Sequence, residues 1–257
     1  MQSDIEKAST FIREAKRMVA FTGAGISEES GIPTYRDTNG LWTKYDPSKY
    51  ASIDYFLQDP SYYWHFFREV RYPLLFESAQ PNPGHLALAD LERTGKLRCV
   101  ITQNIDGLHQ EAGSTRVIEL HGNTRIIRCL ECSKEFTAEK VYEMTETRIP
   151  PLCTDCGGLL KPAVVFFGEQ LPQDAVHDAY AEAEACDLFL VVGSSLVVYP
   201  AAHIPVRAKE CGARLVIINK EPTVMDTLAD AVLNAKAGTT LPQIIATPAP
   251  QRNTPKT

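Results

Sequence analysis

Short apolar runs alternate with helix-like segments along most of this chain, and each run ends at glycine or polar residues. The clearest runs are residues 18–21, 97–102, 188–192 and 215–218. Apolar runs of this length are typical of strands buried on both faces, and helices between consecutive strands make such strands parallel. The sequence therefore predicts an α/β protein whose main domain is a parallel sheet covered by helices on both faces.

The first of these runs leads into a glycine turn, Gly23-Ala24-Gly25, which Ile26 and Ser27 follow. Because glycine has no Cβ, it lets the backbone approach a phosphate closely, so a strand followed by this turn is a candidate pyrophosphate site. The turn differs from the dehydrogenase fingerprint, since Glu28 stands in place of the third glycine. On the turn alone, a purely structural role is the alternative.

Polar residues follow other strands at their C-terminal ends. The strand at 97–102 is followed by Gln103, Asn104, Ile105 and Asp106, and a predicted strand at 117–120 is followed by His121. Ligands of open parallel sheets bind at this edge, and an imidazole suits proton removal at neutral pH. These residues are therefore candidates for a functional site.

Two segments interrupt the alternation of strands and helices. Residues 38–80 are rich in aromatic side chains and predict a helical module, and residues 128–160 carry paired cysteines. We predict a sheet domain made of residues 1–37, 81–127 and 161–246, a smaller lobe made of these two modules, and a disordered tail at 247–257. A cleft between the two lobes is the expected ligand site.

Four of the seven cysteines form two Cys-x-x-Cys pairs, which are Cys129 with Cys132 and Cys153 with Cys156. Two such pairs can complete a tetrahedral thiolate shell with no open position, so the spacing predicts one structural Zn²⁺ in a zinc ribbon. A zinc ribbon often binds nucleic acid, but acidic residues surround this one. The remaining cysteines, Cys99, Cys186 and Cys211, stand alone in apolar surroundings and are predicted to be buried thiols.

Charge and hydropathy exclude several classes of protein. The net charge of −6 argues against direct binding of nucleic acid, which requires a basic surface. No apolar run approaches the length of a membrane span, and the first residues do not resemble a signal peptide. We therefore expect a cytoplasmic protein without membrane contact.

Taken together, these motifs resemble the sirtuins, the Sir2-like NAD-dependent protein deacylases, of bacterial or archaeal type. The resemblance covers about residues 18–240, and it rests on the glycine turn, the segment 102–109, the His121-Gly122 pair and the two cysteine pairs. It implies a Rossmann-like sheet domain, NAD as cofactor, and acyl-lysine proteins or peptides as substrates. The implied reaction transfers the acyl group from lysine to ADP-ribose and releases nicotinamide.

The resemblance also implies roles for single residues. His121 matches the catalytic base, with Asn104 and Gln103 as further catalytic residues. The implied NAD contacts are Gly23, Ala24, Gly25, Ile26, Ser27, Ile32, Tyr35, Arg36, Gln103, Asn104, Ile105, Asp106, Gly193, Ser194, Ser195, Asn219 and Ala237. The implied acyl-lysine site is formed by Val165, Phe167 and Val197, with a substrate strand paired between residues 163–167 and 195–199.

Two other functions are compatible with parts of this pattern. Mono-ADP-ribosyl transfer to protein shares the NAD step. A non-catalytic NAD-sensing zinc module is disfavoured, because His121, Asn104 and Asp106 occur together.

The acyl preference can also be predicted by resemblance. Sirtuins that remove succinyl or malonyl groups carry a Tyr-x-x-Arg pair, which Phe67 and Val70 replace here. We therefore expect neutral acyl groups to be preferred. A shift of one residue in helical phase would instead turn Arg68 or Arg71 inward.

Overall fold

A computed structural model describes residues 2–35 and 40–246. Three sequence expectations lie outside these residues: Arg36 as a cofactor contact, the domain boundary at 37 and 38, and the tail at 247–257. The strands are β1 (Met18–Thr22), β2 (Leu97–Thr102), β3 (Val117–Glu119), β4 (Gly122–Cys129), β5 (Glu135–Thr137), β6 (Leu160–Val164), β7 (Leu188–Val192), β8 (Arg214–Ile218) and β9 (Ala231–Leu233).

Helices connect most of these strands, and further helices form the helical module that follows the first strand. They are α1 (Gln2–Glu14), α2 (Pro47–Tyr50), α3 (Ile53–Gln58), α4 (Pro60–Phe66), α5 (Pro83–Arg93), α6 (Leu108–Glu111), α7 (Ala138–Thr147), α8 (Gln173–Ala185), α9 (His203–Glu210) and α10 (Ala237–Ala246). Short 3₁₀ turns occupy Ala24–Ile26, Glu28–Ser30, Leu41–Thr43 and Asp226–Leu228.

Six strands form the main sheet in the order β3-β2-β1-β7-β8-β9, and every neighbouring pair is parallel. The chain builds outward from β1 to β3 and then returns to the centre at β7. This doubly wound order reverses between β1 and β7, and ligands of such sheets bind outside the carboxyl ends of the strands at the reversal. The predicted Rossmann-like fold is confirmed.

The main core lies on both faces of this sheet, because successive side chains of a strand point to opposite faces. Met18 and Ala20 pack on one side with α1, α5 and α10, whereas Val19 and Phe21 pack on the other with α8 and α9. Cys99 and Cys186 are buried, as predicted. Cys211 is exposed instead, because it follows the last residue of α9 at the surface.

The smaller lobe has its own sheet and its own core. β4 pairs antiparallel with both β5 and β6, and an aromatic cluster joins this sheet to α3, α4 and α7. The predicted division at residues 127 and 161 cuts through this sheet, since β4 begins at Gly122 and β6 ends at Val164. The two-lobe division itself stays a prediction.

Two π-helical turns continue α4, at Phe67–Arg71 and Pro73–Ser78. The amide of Tyr72 donates to the carbonyl of Phe67, and that of Ala79 donates to the carbonyl of Leu74, five residues back in each case. A turn closed in this way holds one residue more than an α-turn, so the residues after it are rotated relative to an α-helical pattern.

Among the helices within residues 2–35 and 40–246, none is both long enough and apolar enough to cross a membrane.

Candidate active site

Three glycines bring the carboxyl ends of β1 and β7 into contact. The amide of Gly25 donates to the carbonyl oxygen of Gly193 at 2.8 Å, and that of Gly23 donates to Val192 at 3.1 Å. A Cβ added at Gly25 would lie 2.8 Å from the Cα of Gly193, and one at Gly23 would lie 2.8 Å from the Gly193 carbonyl oxygen. Side chains are therefore excluded here, and a backbone cradle opens toward the cleft above the sheet.

A network of polar side chains lies beside this cradle. Ser27 donates to a carboxylate oxygen of Asp106 at 2.7 Å and accepts from the amide nitrogen of Asn104 at 3.1 Å. The same nitrogen of Asn104 donates to the carbonyl of Gly23 at 3.1 Å. Both bonds use the nitrogen, so the carboxamide oxygen of Asn104 is left for a ligand. Burial raises the pKa of Asp106 above its ordinary value.

Two buried histidines contact residues in or beside this network. Nδ1 of His85 accepts from the amide of Asn82 at 3.3 Å, so Nε2 carries the proton and points to the hydroxyl of Ser27 at 3.4 Å. Nε2 of His109 lies 2.9 Å from the hydroxyl of Thr22. Burial lowers the pKa of His85 to about 4 and holds the pKa of His109 well below its ordinary value. Both rings are therefore neutral, and His109 is linked to β1 through Thr22.

His121 lines the same cleft as the three glycines. Its Nδ1 is 2.9 Å from the carbonyl oxygen of Gln103. Because a carbonyl oxygen only accepts, Nδ1 carries the proton, and Nε2 is left as the basic atom. Burial lowers the pKa of His121 more than this hydrogen bond raises it, so the ring is neutral at pH 7. The side-chain amide of Gln103 donates to the hydroxyl of Ser194 at 2.8 Å.

One cleft of about 630 Å³ collects most of the predicted site residues. Those that line it are Gly23, Ala24, Gly25, Tyr35, Gln103, Asn104, Ile105, His121, Val165, Phe167, Gly193, Ser194, Ser195, Asn219 and Ala237. A smaller side pocket adjoins it, because Ala24, Tyr35, Asn104 and Ile105 line both cavities, and Ser27, Ile32 and Asp106 line the side pocket. This volume is in the ordinary range of small-molecule and cofactor sites.

Two predicted contacts line neither cavity. Ile26 is fully buried, because the 3₁₀ turn directs its side chain into the core under the sheet. Val197 is 45% exposed, and its neighbours Val198 and Tyr199 line the cleft instead.

The edge expected to pair with a substrate strand is largely occupied. The amide of Val165 donates to the carbonyl of His121 at 2.9 Å, and that of Phe166 donates to the carboxylate of Glu169 at 2.7 Å. Phe167 pairs with residues 51–53 through both its amide and its carbonyl. Pairing of a substrate strand between residues 163–167 and 195–199 stays a prediction, and the amides of Val165, Phe166 and Phe167 are already engaged. Among the described residues of this loop, the backbone amide of Gly168 has no hydrogen-bond acceptor.

Several residues that line the cleft were missed from the sequence. They include Glu28, Trp42, Tyr50 and Lys220, whereas Arg71, which the alternative helical phase turned inward, also lines it. Glu28 forms an ion pair of 2.9 Å with Lys220, a contact between residues distant in sequence that both line the cleft. The aromatic composition of residues 38–80 was the one available signal for Trp42 and Tyr50.

The four paired cysteines come together in the smaller lobe. Their sulfur atoms all lie within 4.8 Å of one another, with 3.5 Å between Cys129 and Cys156 and 3.7 Å between Cys132 and Cys153. Four sulfurs around one zinc stand about 3.8 Å apart, because the Zn–S bond is about 2.3 Å. The cluster therefore fits one tetrahedral zinc ion that has no position left for a substrate.

Comparison with known proteins identifies the family. The profile of the Sir2 family matches residues 23–200. The chain is 49% identical over 246 residues to NAD-dependent protein deacylase 2 of Archaeoglobus fulgidus, covering 95% of this chain and 96% of that protein. It is 49% identical to the NAD-dependent protein deacetylase of Caldivirga maquilingensis, covering 93% and 91%.

Solved structures give the same result. A structure of Sir2 bound to acetylated peptide superposes with a TM-score of 0.87 at 40% identity, covering 94% of this chain and 97% of that one. A complex of Sir2 with p53 peptide and NAD⁺ gives a TM-score of 0.86 at 40% identity, with the same coverage. By its profile, its relatives and the solved structures it matches, this chain is a member of the Sir2 family.

Proposed function

We propose that the protein is an NAD-dependent protein-lysine deacylase, which transfers an acyl group from lysine to ADP-ribose and releases nicotinamide. One observation carries the proposal: His121 presents a neutral, basic Nε2 in the same cleft as the cradle of Gly23, Gly25 and Gly193. The names of the relatives support it, since they are NAD-dependent deacylases and deacetylases.

The cleft fits NAD in size and in chemistry. At Gly23 and Gly25 an added Cβ would collide with Gly193, so only backbone faces the cleft there. Exposed backbone amides of this kind suit a pyrophosphate. When bound, NAD supplies a sugar carbon that becomes electrophilic as nicotinamide leaves. Asn219, Ala237, Ser194 and Ser195 line the same cleft as His121.

His121 acts as the general base in this proposal. The carbonyl of Gln103 fixes the tautomer, so Nε2 can take a proton from a ribose hydroxyl group at neutral pH. Asn104 is held through its nitrogen and offers its oxygen to the reacting region. Gln103 is anchored to Ser194 by its side chain, which ties the base to the carboxyl end of β7.

The acyl-lysine site lies on the other side of the cleft. Val165 and Phe167 line it, and Phe167 is 49% exposed although it is apolar. A substrate strand pairs with the amide of Gly168 and with the run that includes Val197 and Tyr199. Apolar side chains around the lysine stem exclude water, which protects the reaction from simple NAD hydrolysis.

The zinc ion has a structural role in this proposal. Four thiolate ligands persist in a reducing compartment such as the cytoplasm, where the protein acts on acyl-lysine proteins or peptides. The acidic net charge of −6 opposes direct binding of nucleic acid. The sheet domain binds NAD, and the helical and zinc modules close the cleft over it.

The test is an incubation of the protein with an acetyl-lysine peptide, with and without NAD. We expect the peptide to lose the mass of one acetyl group, and free nicotinamide to form, only when NAD is present. A gain of mass on peptide or protein would indicate ADP-ribosyl transfer instead. The absence of any turnover with several acetylated peptides would contradict the proposal.

A further inference from the structure

A buried lysine is bonded to the loop of residues 164–169, each of which lines the cleft. Lys161 belongs to β6 and is 7% exposed. Its ammonium nitrogen lies 2.8 Å from a carboxylate oxygen of Glu169, and it donates to the carbonyl oxygens of Val164 at 2.8 Å and Pro162 at 3.3 Å. An ammonium group has three donors, so each of them has an acceptor in β6 or in this loop.

Glu169 closes the loop on itself. The carboxylate oxygen that faces Lys161 also accepts from the backbone amide of Phe166 at 2.7 Å. The amide of Glu169 donates in turn to the carbonyl of Phe166 at 3.0 Å. The ring centre of Phe166 lies 4.3 Å from the ammonium nitrogen of Lys161, which adds a cation–π contact. One lysine and one glutamate thus hold both ends of the loop.

The loop joins two parts of the proposed acyl-lysine site to the base. The amide of Val165 donates to the carbonyl of His121 at 2.9 Å, and Phe167 pairs with residues 51–53 of the helical module. Val165 and Phe167 both line the cleft, whereas Lys161 lines neither cavity. A change in the shape of the loop would therefore move both side chains, although Lys161 itself has no contact with the cleft.

Stability alone does not account for a charged pair in this position. Burial lowers the pKa of Lys161, and the ion pair with Glu169 opposes part of that shift. Apolar residues of similar volume stabilise a fold as well as a buried ion pair does, or better. A hydrogen-bonded pair differs from apolar contacts in its directionality, because donors and acceptors must be aligned. The pair is therefore suited to fixing the shape of a loop.

We propose that Lys161 is a positioning residue for the acyl-lysine site, which acts through Glu169 to hold residues 164–169 in the conformation that receives the substrate. The inference rests on the proposed deacylase function, because the substrate must enter this cleft. Lys161 does not touch the substrate in this proposal. Its removal lets the loop take other conformations, and a displacement of about 1 Å at a binding site can cost about a hundredfold in rate.

The experiment measures kcat and KM for one acetyl-lysine peptide, together with the Kd of NAD by calorimetry without peptide. In Lys161→Met, which keeps the apolar stem and removes the charge, we expect the peptide KM to rise about tenfold or more. The expected change in kcat is smaller, and the Kd of NAD stays within about twofold, because the glycine cradle is not part of this loop. Lys161→Arg keeps the charge and the donors and restores most of the peptide affinity.

The matched control breaks a comparable ion pair elsewhere. Lys209 lies 2.6 Å from Asp230, and neither residue lines a cavity, so Lys209→Met should keep the kinetic constants of the wild type. The double variant Lys161→Met/Glu169→Gln tests whether the pair acts as a unit, since Gln still accepts from the amide of Phe166. Its peptide KM should equal that of Lys161→Met, because coupled residues are not additive. Additive effects would show that Glu169 contacts the substrate independently, which contradicts the proposal.

The outcomes separate this inference from the proposed function. If wild type is active and Lys161→Met changes the peptide KM less than about twofold, the inference is overturned while the deacylase function stands. A parallel loss of NAD affinity also overturns it, since the defect would then be general.

Hydrogen exchange of residues 164–169 tests the loop without turnover. We expect faster exchange in Lys161→Met and exchange at the wild-type rate in Lys161→Arg. If wild type turns over no acyl peptide, the proposed function fails, and this measurement alone decides whether Lys161 holds the loop. Unchanged exchange in Lys161→Met overturns the inference.

Discussion

Acidification is expected to destabilise this protein through its buried neutral histidines. Burial lowers the pKa of His85 to about 4, below the ordinary histidine value of about 6.5. The unfolded chain therefore binds a proton that the folded protein excludes. Stability from such a group is fully present above pH 6.5 and is lost as the pH falls toward the folded pKa.

The magnitude follows from these two pKa values. Between about pH 7.0 and pH 5.5, His85 alone removes about 1 kcal/mol from the free energy of unfolding. His109 adds a loss in the same direction, because burial also holds its pKa well below the ordinary value. Asp106 works in the opposite direction, since burial raises its pKa and its protonated form suits the folded protein.

The assay is urea unfolding followed by circular dichroism at these two pH values and constant ionic strength. We compare wild type with His85→Gln, which can still accept from Asn82 and donate to Ser27. Contributions common to both proteins cancel, so the pH-dependent loss should be about 1 kcal/mol smaller in the variant. His177→Gln is the control, since His177 is exposed on α8. Equal losses in wild type and His85→Gln would refute the assignment of a buried, neutral ring.

The other predictions concern the base, the metal and the cradle. His121→Ala should lower kcat/KM for deacylation by about 10²–10⁴-fold without changing thermal unfolding, and a rate within about twofold of wild type would exclude it as the base. Because burial lowers the pKa of His121, kcat/KM in wild type should stay level down to about pH 6.5 and decline only at lower pH. Cys129→Ala should lose zinc by metal analysis and lower the unfolding temperature, whereas the exposed Cys211→Ala should do neither. Gly25→Ala, whose Cβ would lie 2.8 Å from Gly193, should weaken NAD binding in a calorimetric titration and cost about 1–3 kcal/mol of stability. Gly95→Ala, where nothing lies within 4 Å of the added Cβ, should leave NAD affinity unchanged.

Features with local causes could be predicted from the sequence. Buried parallel strands need continuous apolar runs, and a tetrathiolate site needs two closely spaced cysteine pairs, so both patterns are visible in a single chain. The strand order was not predicted from the sequence. The position of the site was, because Gln103, Asn104 and His121 were expected at the C-terminal ends of strands and line one cleft there.

Features that depend on distant contacts could not be predicted. The bond that Ser27 donates to Asp106 and the one that it accepts from Asn104 exist because the turn after β1 packs against the loop after β2. The position of Arg71 depends on the hydrogen-bond pattern of a π-helical turn, which no simple periodicity indicates. Ile26 was expected to contact NAD, but its side chain belongs to the core.

The most direct test of the proposed function is the stoichiometry and destination of the acetyl group. Wild-type protein is incubated with NAD and a peptide that carries an isotope-labelled acetyl-lysine, and nicotinamide, peptide and nucleotide products are measured over time. We predict one nicotinamide released for each acetyl group lost, with the label recovered on ADP-ribose. Nicotinamide release without loss of the acetyl label, or label recovered directly as acetate with NAD left intact, would contradict the account.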